Sequence, residues 1–153
     1  MMATFYRLVK QTFVAQAFDG AGAKLYGGRW NSKGVPCVYL GGTIALCLLE
    51  TLVHLRDVAM LPAFSLLSVE VPDTLVMELS RDALPDDWRQ DPPPDATRQI
   101  GDEWLASRVS LVLKVPSTLT GEWNALFNPE HPKAQQVLST LQVVPFHFDS
   151  RLL

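Results

Sequence analysis

The segment Tyr26–Asn31 (YGGRWN) has the residue types and spacing best suited to binding an anion. Its one charged residue, Arg29, lies between two glycines and an aromatic residue. A guanidinium presents a planar fork of N–H donors that fits a phosphate or a carboxylate, and the glycines let backbone amides approach the same anion. The segment therefore predicts an anion site. The structural alternative is a turn in which Arg29 forms a salt bridge with an Asp.

A carboxylate that could do acid–base or electrostatic work lies in the apolar sequence LLETL, at Glu50. Thr43 is the predicted N-cap of a helix from Ile44 to about Arg56, nearly apolar all round as in a buried element. One polar stripe runs along it: Thr43, Cys47, Glu50, His54 and Asp57. Such a stripe is either a solvated face or the wall of a cleft. A cleft would give Glu50 the confinement and access that a catalytic carboxylate needs.

Three further residues could contact a ligand, and each also has an ordinary structural interpretation. Tyr39 lies at the end of a predicted strand and could equally be a core residue with a satisfied hydroxyl. Arg7 lies in the first predicted strand, where it faces either a cleft or water. Ser117 follows a strand and a proline, so its hydroxyl either caps a turn or binds a ligand.

Other catalytic schemes find little support in the sequence. It contains no GxSxG, P-loop, GxGxxG or HExxH pattern. The three histidines lack metal-ligand spacing, and the two cysteines, Cys37 and Cys47, cannot make a four-ligand zinc site or a disulfide framework. We therefore expect no metal site.

The composition predicts one globular domain over residues 1–153. Hydrophobic residues make up 48% of the chain and charged residues 19%, which excludes a disordered chain. A net charge of -3 argues against binding nucleic acid directly through bulk charge. The N-terminus lacks the apolar core of a signal peptide, and the longest apolar stretch, Ile44–Val53, is too short to span a bilayer. We expect a cytoplasmic protein with no membrane contact.

The elements that must position these residues are mostly short strands. A strand at Thr4–Val9 is followed by a polar, glycine-rich stretch over Asp19–Gly34, interpreted as a loop. Residues 80–95 contain four prolines and five aspartates, which predict an irregular surface loop. Further strands are predicted at Pro36–Leu40, Phe64–Val71, Leu75–Leu79, Ser110–Val115, Trp123–Phe127 and Leu141–Phe148, and further helices at Asp95–Ala106 and His131–Thr140. The pattern predicts an α+β domain with a short-stranded β core and flanking helices.

Taken together, these residues resemble the RES domain, the toxin half of bacterial toxin–antitoxin pairs, which is named after its Arg, Glu and Ser. FYRLVK opens the resemblance, YGGRWNSKGVPCVYLGG and LLETLVHL follow, and VPSTLTGEWNALFNPEHP lies near the end. The resemblance spans nearly the whole chain. It implies an ADP-ribosyltransferase-like fold, NAD+ as the substrate with no separate cofactor, and a neutralising Xre-type helix-turn-helix antitoxin as the partner.

The resemblance also assigns the site residues. The key Arg, Tyr, Glu and Ser of the family fall on Arg29, Tyr39, Glu50 and Ser117, and Arg7 matches the arginine of the first strand. Arg29 and Glu50 are the implied catalytic residues, with Glu50 stabilising a ribosyl cation or orienting the incoming nucleophile. Arg29 and Arg7 would hold the pyrophosphate or the nicotinamide ribose. Tyr39 would stack on the nicotinamide ring, and Ser117 would hydrogen-bond the substrate.

The implied function is that of a toxin which degrades cellular NAD+ by cleaving the nicotinamide–ribose bond, through hydrolysis or phosphorolysis. An ADP-ribosyltransferase that modifies a protein target is the alternative, and a non-catalytic binding module is the third interpretation. Ser107 and Ser110 are the other candidates for the site serine. The chain has no helix-turn-helix pattern or basic stripe, so operator binding would come from the partner.

Overall fold

Residues 1–152 are described by the computed structural model, and within them seven strands form one mixed sheet flanked by helices. The strands are β1 Met2–Lys10, β2 Val38–Gly41, β3 Phe64–Pro72, β4 Val76–Glu78, β5 Val112–Pro116, β6 Trp123–Phe127 and β7 Gln142–Val144. The α-helices are α1 Ala21–Tyr26, α2 Ile44–His54, α3 Asp95–Ser107 and α4 Ala134–Leu138. Short 3-10 helices lie at Gln11–Gln16, Val58–Ala63, Asp73–Leu75, Arg81–Ala83 and Ser150–Leu152.

The sheet has a narrow seam between β1 and β2. Its strand order is β4-β5-β6-β2-β1-β3-β7, and only the β4–β5 pair is parallel. β1 and β3 pair along their whole length, from Met2 opposite Pro72 to Lys10 opposite Phe64. β1 and β2 instead meet at one position, Tyr6 opposite Gly41. Helix α2 packs on both strands and so covers the seam.

Both faces of the central strands are buried, each by its own apolar cluster. One cluster packs Phe5, Phe18 and Phe127 with the aliphatic residues of β3. The other packs Trp30 and Trp104, which are far apart in the sequence, with apolar residues of β5 and β6. This explains why Val112 and Leu113, neighbours on β5 that face opposite sides of the sheet, are both buried.

Most predicted elements are confirmed, with three differences. The stretch Asp19–Gly34 is not all loop, because α1 lies within it between Gly20 and Gly27, which have φ of 74° and 72°. The last strand ends at Val144 because Pro145 has no N–H to give to a neighbouring strand. The helix predicted over His131–Thr140 is limited to α4.

Helix α2 is not buried on all sides, which corrects the expectation from its apolar sequence. Thr43 caps it as predicted, since its Oγ1 accepts a hydrogen bond of 3.1 Å from the Leu46 N–H. Cys47 is buried against the sheet, whereas Leu49 and Val53 are 38% and 53% exposed. None of the helices in residues 1–152 is long and apolar enough to cross a membrane.

Helix α3 approaches the backbone of Trp30 so closely that only glycine fits at position 101. A Cβ on Gly101 would lie 1.6 Å from the Trp30 carbonyl oxygen, which is far inside van der Waals contact. We expect Gly101→Ala to lower the free energy of unfolding by at least about 1–3 kcal/mol, the usual cost of overpacking, despite the higher helix propensity of Ala. Urea denaturation of the purified protein measures this.

Gly22 in α1 is the matched control, because a Cβ there would meet nothing within 4 Å. Gly22→Ala should leave stability unchanged or raise it by up to about 1 kcal/mol. Equal unfolding midpoints for Gly101→Ala and the unmodified protein would show that α3 does not press on Trp30.

Candidate active site

The Glu50 carboxylate is held by two side chains at the end of the sheet. Its Oε1 accepts a hydrogen bond of 2.6 Å from the Ser117 hydroxyl and one of 2.9 Å from the Asn124 amide nitrogen. Both bonds go to the same oxygen, and no residue in the described range 1–152 donates to Oε2. Glu50 is neither fully exposed nor buried. The polar stripe of α2 is thus half-buried at Glu50 and exposed at His54 and Asp57, and a cleft along it stays a prediction.

Close packing at the start of α2 brings Glu50 to this position. A Cβ on Gly41 would lie 2.8 Å from the Cys47 Cβ, and one on Gly42 would lie 2.5 Å from the Trp123 carbonyl oxygen. The Gly42 N–H donates to that same oxygen at 3.2 Å. Gly41 thus lets α2 pack closely on β2, and Gly42 lets the residues just before the helix approach β6, whose Asn124 reaches Glu50.

Ser117 caps a turn, which is one of the two interpretations of its sequence position, and its contact with a ligand stays a prediction. Its Oγ accepts a hydrogen bond of 3.0 Å from the Leu119 N–H and so caps the turn between β5 and β6. The same hydroxyl donates to Glu50. The other candidate serines have structural partners: Ser110 lies between the Trp104 indole N–H and the Val112 carbonyl, and Ser107 donates to the Trp104 carbonyl. Of the three, Ser117 alone contacts Glu50.

Arg29 is oriented by the proline-rich segment rather than by an acidic residue. Its Nη1 donates to the carbonyl oxygens of Trp88 at 2.9 Å and Gln90 at 2.6 Å. Within residues 1–152 it forms no salt bridge, so the alternative of a turn paired with an Asp is wrong. Partial burial lowers the pKa of Arg29, while the charges of Asp91 and Glu50 oppose that shift. The Glu50 carboxylate is therefore within electrostatic reach of the guanidinium.

The loop that carries Arg29 is fixed from beneath by Tyr39 and Asn31. The Tyr39 hydroxyl donates to Asn31 Oδ1 at 2.6 Å and accepts from the Trp30 N–H at 3.1 Å. Asn31 is fully buried, and its amide nitrogen donates to the carbonyls of Ala23 and Val35, both at 2.9 Å. Burial raises the pKa of Tyr39, which keeps the hydroxyl neutral. The satisfied hydroxyl fits the structural interpretation, while stacking of the ring on a ligand stays a prediction.

Arg7 lies at the seam of the sheet. Its Nη1 donates to the Tyr39 carbonyl at 2.9 Å, which links β1 to β2 where the strands no longer pair. Nε is buried without a partner in residues 1–152, and the arginine forms no salt bridge there. Burial lowers the pKa of Arg7, and the nearby Cys47 and Cys37 thiols oppose that shift. Arg7 is thus not an edge charge, and its contact with a substrate stays a prediction.

A comparison with protein-family models matches residues 4–149 to the RES domain. The chain belongs to the RES domain family. Two similar proteins are each named Toxin Res: one from Yersinia enterocolitica serotype O:8 is 46% identical over 96% of this chain and 97% of that protein, and one from Photorhabdus laumondii is 40% identical over 97% and 96%. A protein from Sphingobium sp. strain YBL2, named Prs ADP-ribosylating toxin, is 34% identical over 100% of this chain and 98% of its own.

The fold of this RES domain is also found in a solved structure. The crystal structure of the M. tuberculosis MbcT–MbcA toxin–antitoxin complex contains a chain that matches with a TM-score of 0.71 and 21% identity, over 95% of this chain and 82% of that one. The fold is α+β and ADP-ribosyltransferase-like, as the sequence resemblance implied. The chain is a RES-domain toxin.

A cleft of about 310 Å³ lies beside the loop that carries Arg29 in this RES domain, and its lining includes neither Arg29 nor Glu50. It is lined by Tyr26, Gly27, Gly28, Ser32, Lys33, Pro93 and Arg98. Of its two cations, Arg98 is paired with Asp95 and donates to the Pro93 carbonyl, whereas Lys33 is exposed. The cleft is near the lower end of the roughly 300–1,000 Å³ typical of small-molecule pockets. Residues 1–152 contain no group of three or more His, Cys, Asp or Glu residues that could hold a metal ion.

Two residues that support the RES site carry no signal in the sequence. Asn124 lies on β6 and binds Glu50 from 74 residues away. Asp102 lies on α3 and accepts hydrogen bonds from the backbone N–H and the hydroxyl of Ser32, at 2.9 and 2.5 Å. It fixes the end of the Arg29 loop. Neither residue belongs to a recognisable spacing, because each contact forms only when the sheet and α3 assemble.

Proposed function

We propose that this RES domain is a toxin that cleaves the bond between nicotinamide and ribose in NAD+. The observation that carries the proposal is the Glu50 carboxylate, which has one oxygen held by Ser117 and Asn124 and the other unbonded in residues 1–152. Cleavage passes through a ribosyl centre with oxocarbenium character, and a fixed carboxylate stabilises that positive charge. Arg29, within electrostatic reach of Glu50, would bind the anionic part of the same molecule.

The reaction can be written with NAD+ and water alone. The bond from ribose C1′ to the nicotinamide nitrogen breaks, and its electron pair leaves with nicotinamide, which becomes neutral. The oxygen of water bonds to C1′ and a proton is released, giving ADP-ribose. With phosphate as the nucleophile, the product is the corresponding ADP-ribose phosphate ester. The developing cation at C1′ is the state that Glu50 stabilises more than the substrate itself.

Arg29 has donors to spare for the phosphates of NAD+. Both of its bonds to backbone carbonyls use Nη1, so Nη2 and Nε carry no bond within residues 1–152. A pyrophosphate carries two negative charges that a guanidinium binds through paired hydrogen bonds. Arg7 and Tyr39, at the seam beneath the loop, complete the proposed set.

We propose transfer of ADP-ribose to a protein as the second candidate reaction. The observation that favours it is the similarity to the Sphingobium protein, which is named an ADP-ribosylating toxin. Both reactions need the same cleavage and differ in the acceptor that enters the site. A non-catalytic binding module is disfavoured, because such a module would not need a Glu50 carboxylate that Ser117 and Asn124 hold at one oxygen.

We expect Glu50→Gln to fold normally and to lose at least about 10²–10³-fold in the rate of NAD+ consumption. The amide keeps the shape of the side chain but removes the anion that stabilises the ribosyl cation. The rate is followed by chromatography of NAD+ and nicotinamide, and folding by thermal denaturation. Runs with water alone, with phosphate and with cell extract identify the acceptor from the product.

Glu103→Gln is the control, because Glu103 is an exposed glutamate on α3. It should consume NAD+ at the unmodified rate. A folded Glu50→Gln protein with the unmodified rate would remove Glu50 from the proposed mechanism. Absence of any NAD+ consumption by the unmodified protein, with every acceptor, would refute the proposed reaction itself.

Arg29→Lys should weaken NAD+ binding by roughly 10–100-fold, because charge-assisted hydrogen bonds of the fork are worth about 1.5–3 kcal/mol. Calorimetry in a Glu50→Gln background measures the affinity without turnover. Arg89→Lys is the control, since Arg89 is exposed and stacks on Trp88 within the same segment. Unchanged affinity in a stable Arg29→Lys protein would reduce Arg29 to a support for the loop.

We propose that an Xre-type helix-turn-helix antitoxin neutralises this chain. An enzyme that consumes NAD+ without restraint would harm its own cell, and the similar MbcT chain was solved in a toxin–antitoxin complex. Four apolar residues stand exposed on and after α2, close to Glu50 in sequence: Leu49, Val53, Val58 and Met60. Exposed apolar residues beside a site are typical of protein interfaces.

Expression of this chain alone should therefore arrest growth and deplete cellular NAD+. Co-expression with the antitoxin encoded beside it should restore both, because the partner covers the Arg29 loop or the opening near Glu50. Growth curves and NAD+ content of the same cultures are the measurements. Normal growth and normal NAD+ with abundant soluble protein would contradict the toxin function and favour a binding module.

A further inference from the structure

The side chain of Asn124 bonds to the proposed catalytic carboxylate and to no structural partner in residues 1–152. It lies on β6 between two paired strands, opposite Val115 of β5 and Gly41 of β2. Its amide nitrogen donates to Glu50 Oε1 at 2.9 Å. A carboxylate only accepts hydrogen bonds, so this contact fixes which end of the amide faces Glu50. The other end, Oδ1, is buried and has no hydrogen-bond partner in residues 1–152.

Asn128, four residues after Asn124, is an asparagine whose two side-chain ends both bond to the backbone. Its amide nitrogen donates to the Leu105 carbonyl at 2.9 Å, and its Oδ1 accepts from the Glu130 N–H at 3.0 Å. Both ends of Asn128 thus stabilise the fold. Asn124 leaves its acceptor unpaired, and buried polar groups without partners are uncommon in folded proteins. Its one bond serves Glu50.

We propose that Asn124 is a positioning residue which acts with Ser117 to fix one oxygen of Glu50, so that the other oxygen is presented to the ribose. The proposal rests on the proposed function of the site. The last torsion of a glutamate side chain is broad, so a carboxylate held at one point still rotates. Two donors, one on β6 and one in the turn after β5, both bond to Oε1 and remove this freedom. Displacement of a catalytic group by about 1 Å can cost roughly 100-fold in rate.

Asn124→Asp is the decisive variant, because it keeps the shape of the side chain but replaces the N–H donor with an acceptor. The new carboxylate would repel Glu50 at the point where the amide now holds it. We expect kcat for NAD+ cleavage to fall by about 10–100-fold while KM stays within about threefold, since ground-state binding does not use this contact. Asn124→Ala, which only removes the donor, should show the same division between kcat and KM.

Asn128→Asp is the matched control. It has the same isosteric change in a buried asparagine of the same hairpin region, and it loses the bond to Leu105. It should lower the melting temperature without changing kcat per folded molecule. A kcat for Asn124→Asp and Asn124→Ala equal to that of the unmodified enzyme would overturn the proposal. So would a loss of activity that matches the loss of folded protein in each variant.

A double substitution tests whether Asn124 and Ser117 act through the same oxygen. If both position Oε1, the fall in kcat for Ser117→Ala combined with Asn124→Ala should be smaller than the product of the two single effects. Multiplicative effects would contradict a shared role.

Growth inhibition separates failure of this proposal from failure of the proposed function. If the unmodified protein consumes no NAD+, the proposed reaction fails, and the variants are then compared by toxicity on expression. Asn124→Asp should lose toxicity at a normal level of soluble protein, and Asn128→Asp should keep it. Equal toxicity of Asn124→Asp and the unmodified protein would overturn the positioning role whatever the substrate is.

Discussion

The site depends on how closely the first turns of α2 approach the ends of β2 and β6. Gly41 and Gly42 make that approach possible, because a Cβ at either position would collide with Cys47 or with the Trp123 backbone. Cys47 is buried at the point of contact, and Glu50, three residues later, projects from the same side of the helix. A helix shifted outward by one side chain would move Glu50 away from Ser117 and Asn124. The carboxylate is thus positioned by two residues that have no side chain.

The loop that carries Arg29, the second half of the site, is held by contacts at several points along its length. Tyr39 supports it at Trp30 and Asn31, Asp102 fixes Ser32, and α3 packs against it through Gly101. The fold thereby separates two tasks: the sheet and α2 set the carboxylate, while α3 and Tyr39 set the arginine. Both halves are supported by β2, which carries Tyr39 under the loop and Gly41 against α2.

Sequence reasoning could predict what local patterns encode and no more. The strands and the Thr43 cap follow from alternation and from one capping residue, and YGGRWN and LLETL point to Arg29 and Glu50. Helix α1 was missed because its six residues are too few to show a helical period. Asn124 and Asp102 were missed because their contacts join residues 74 and 70 positions apart, and such pairings exist only after the sheet has assembled.

Buried polar atoms in folded proteins nearly always have hydrogen-bond partners, and this chain has exceptions. The two such side-chain atoms found in residues 1–152 are Arg7 Nε and Asn124 Oδ1. Leaving a buried polar atom unpaired costs about 1–3 kcal/mol, so a fold selected for stability alone would avoid both. Both residues contact others that the site uses, since Arg7 bonds to the backbone of Tyr39 and Asn124 bonds to Glu50. Local rules are most often broken at functional sites. The placement of these two atoms, on β1 and on β6 beside the residues proposed for the site, is therefore consistent with the proposed function.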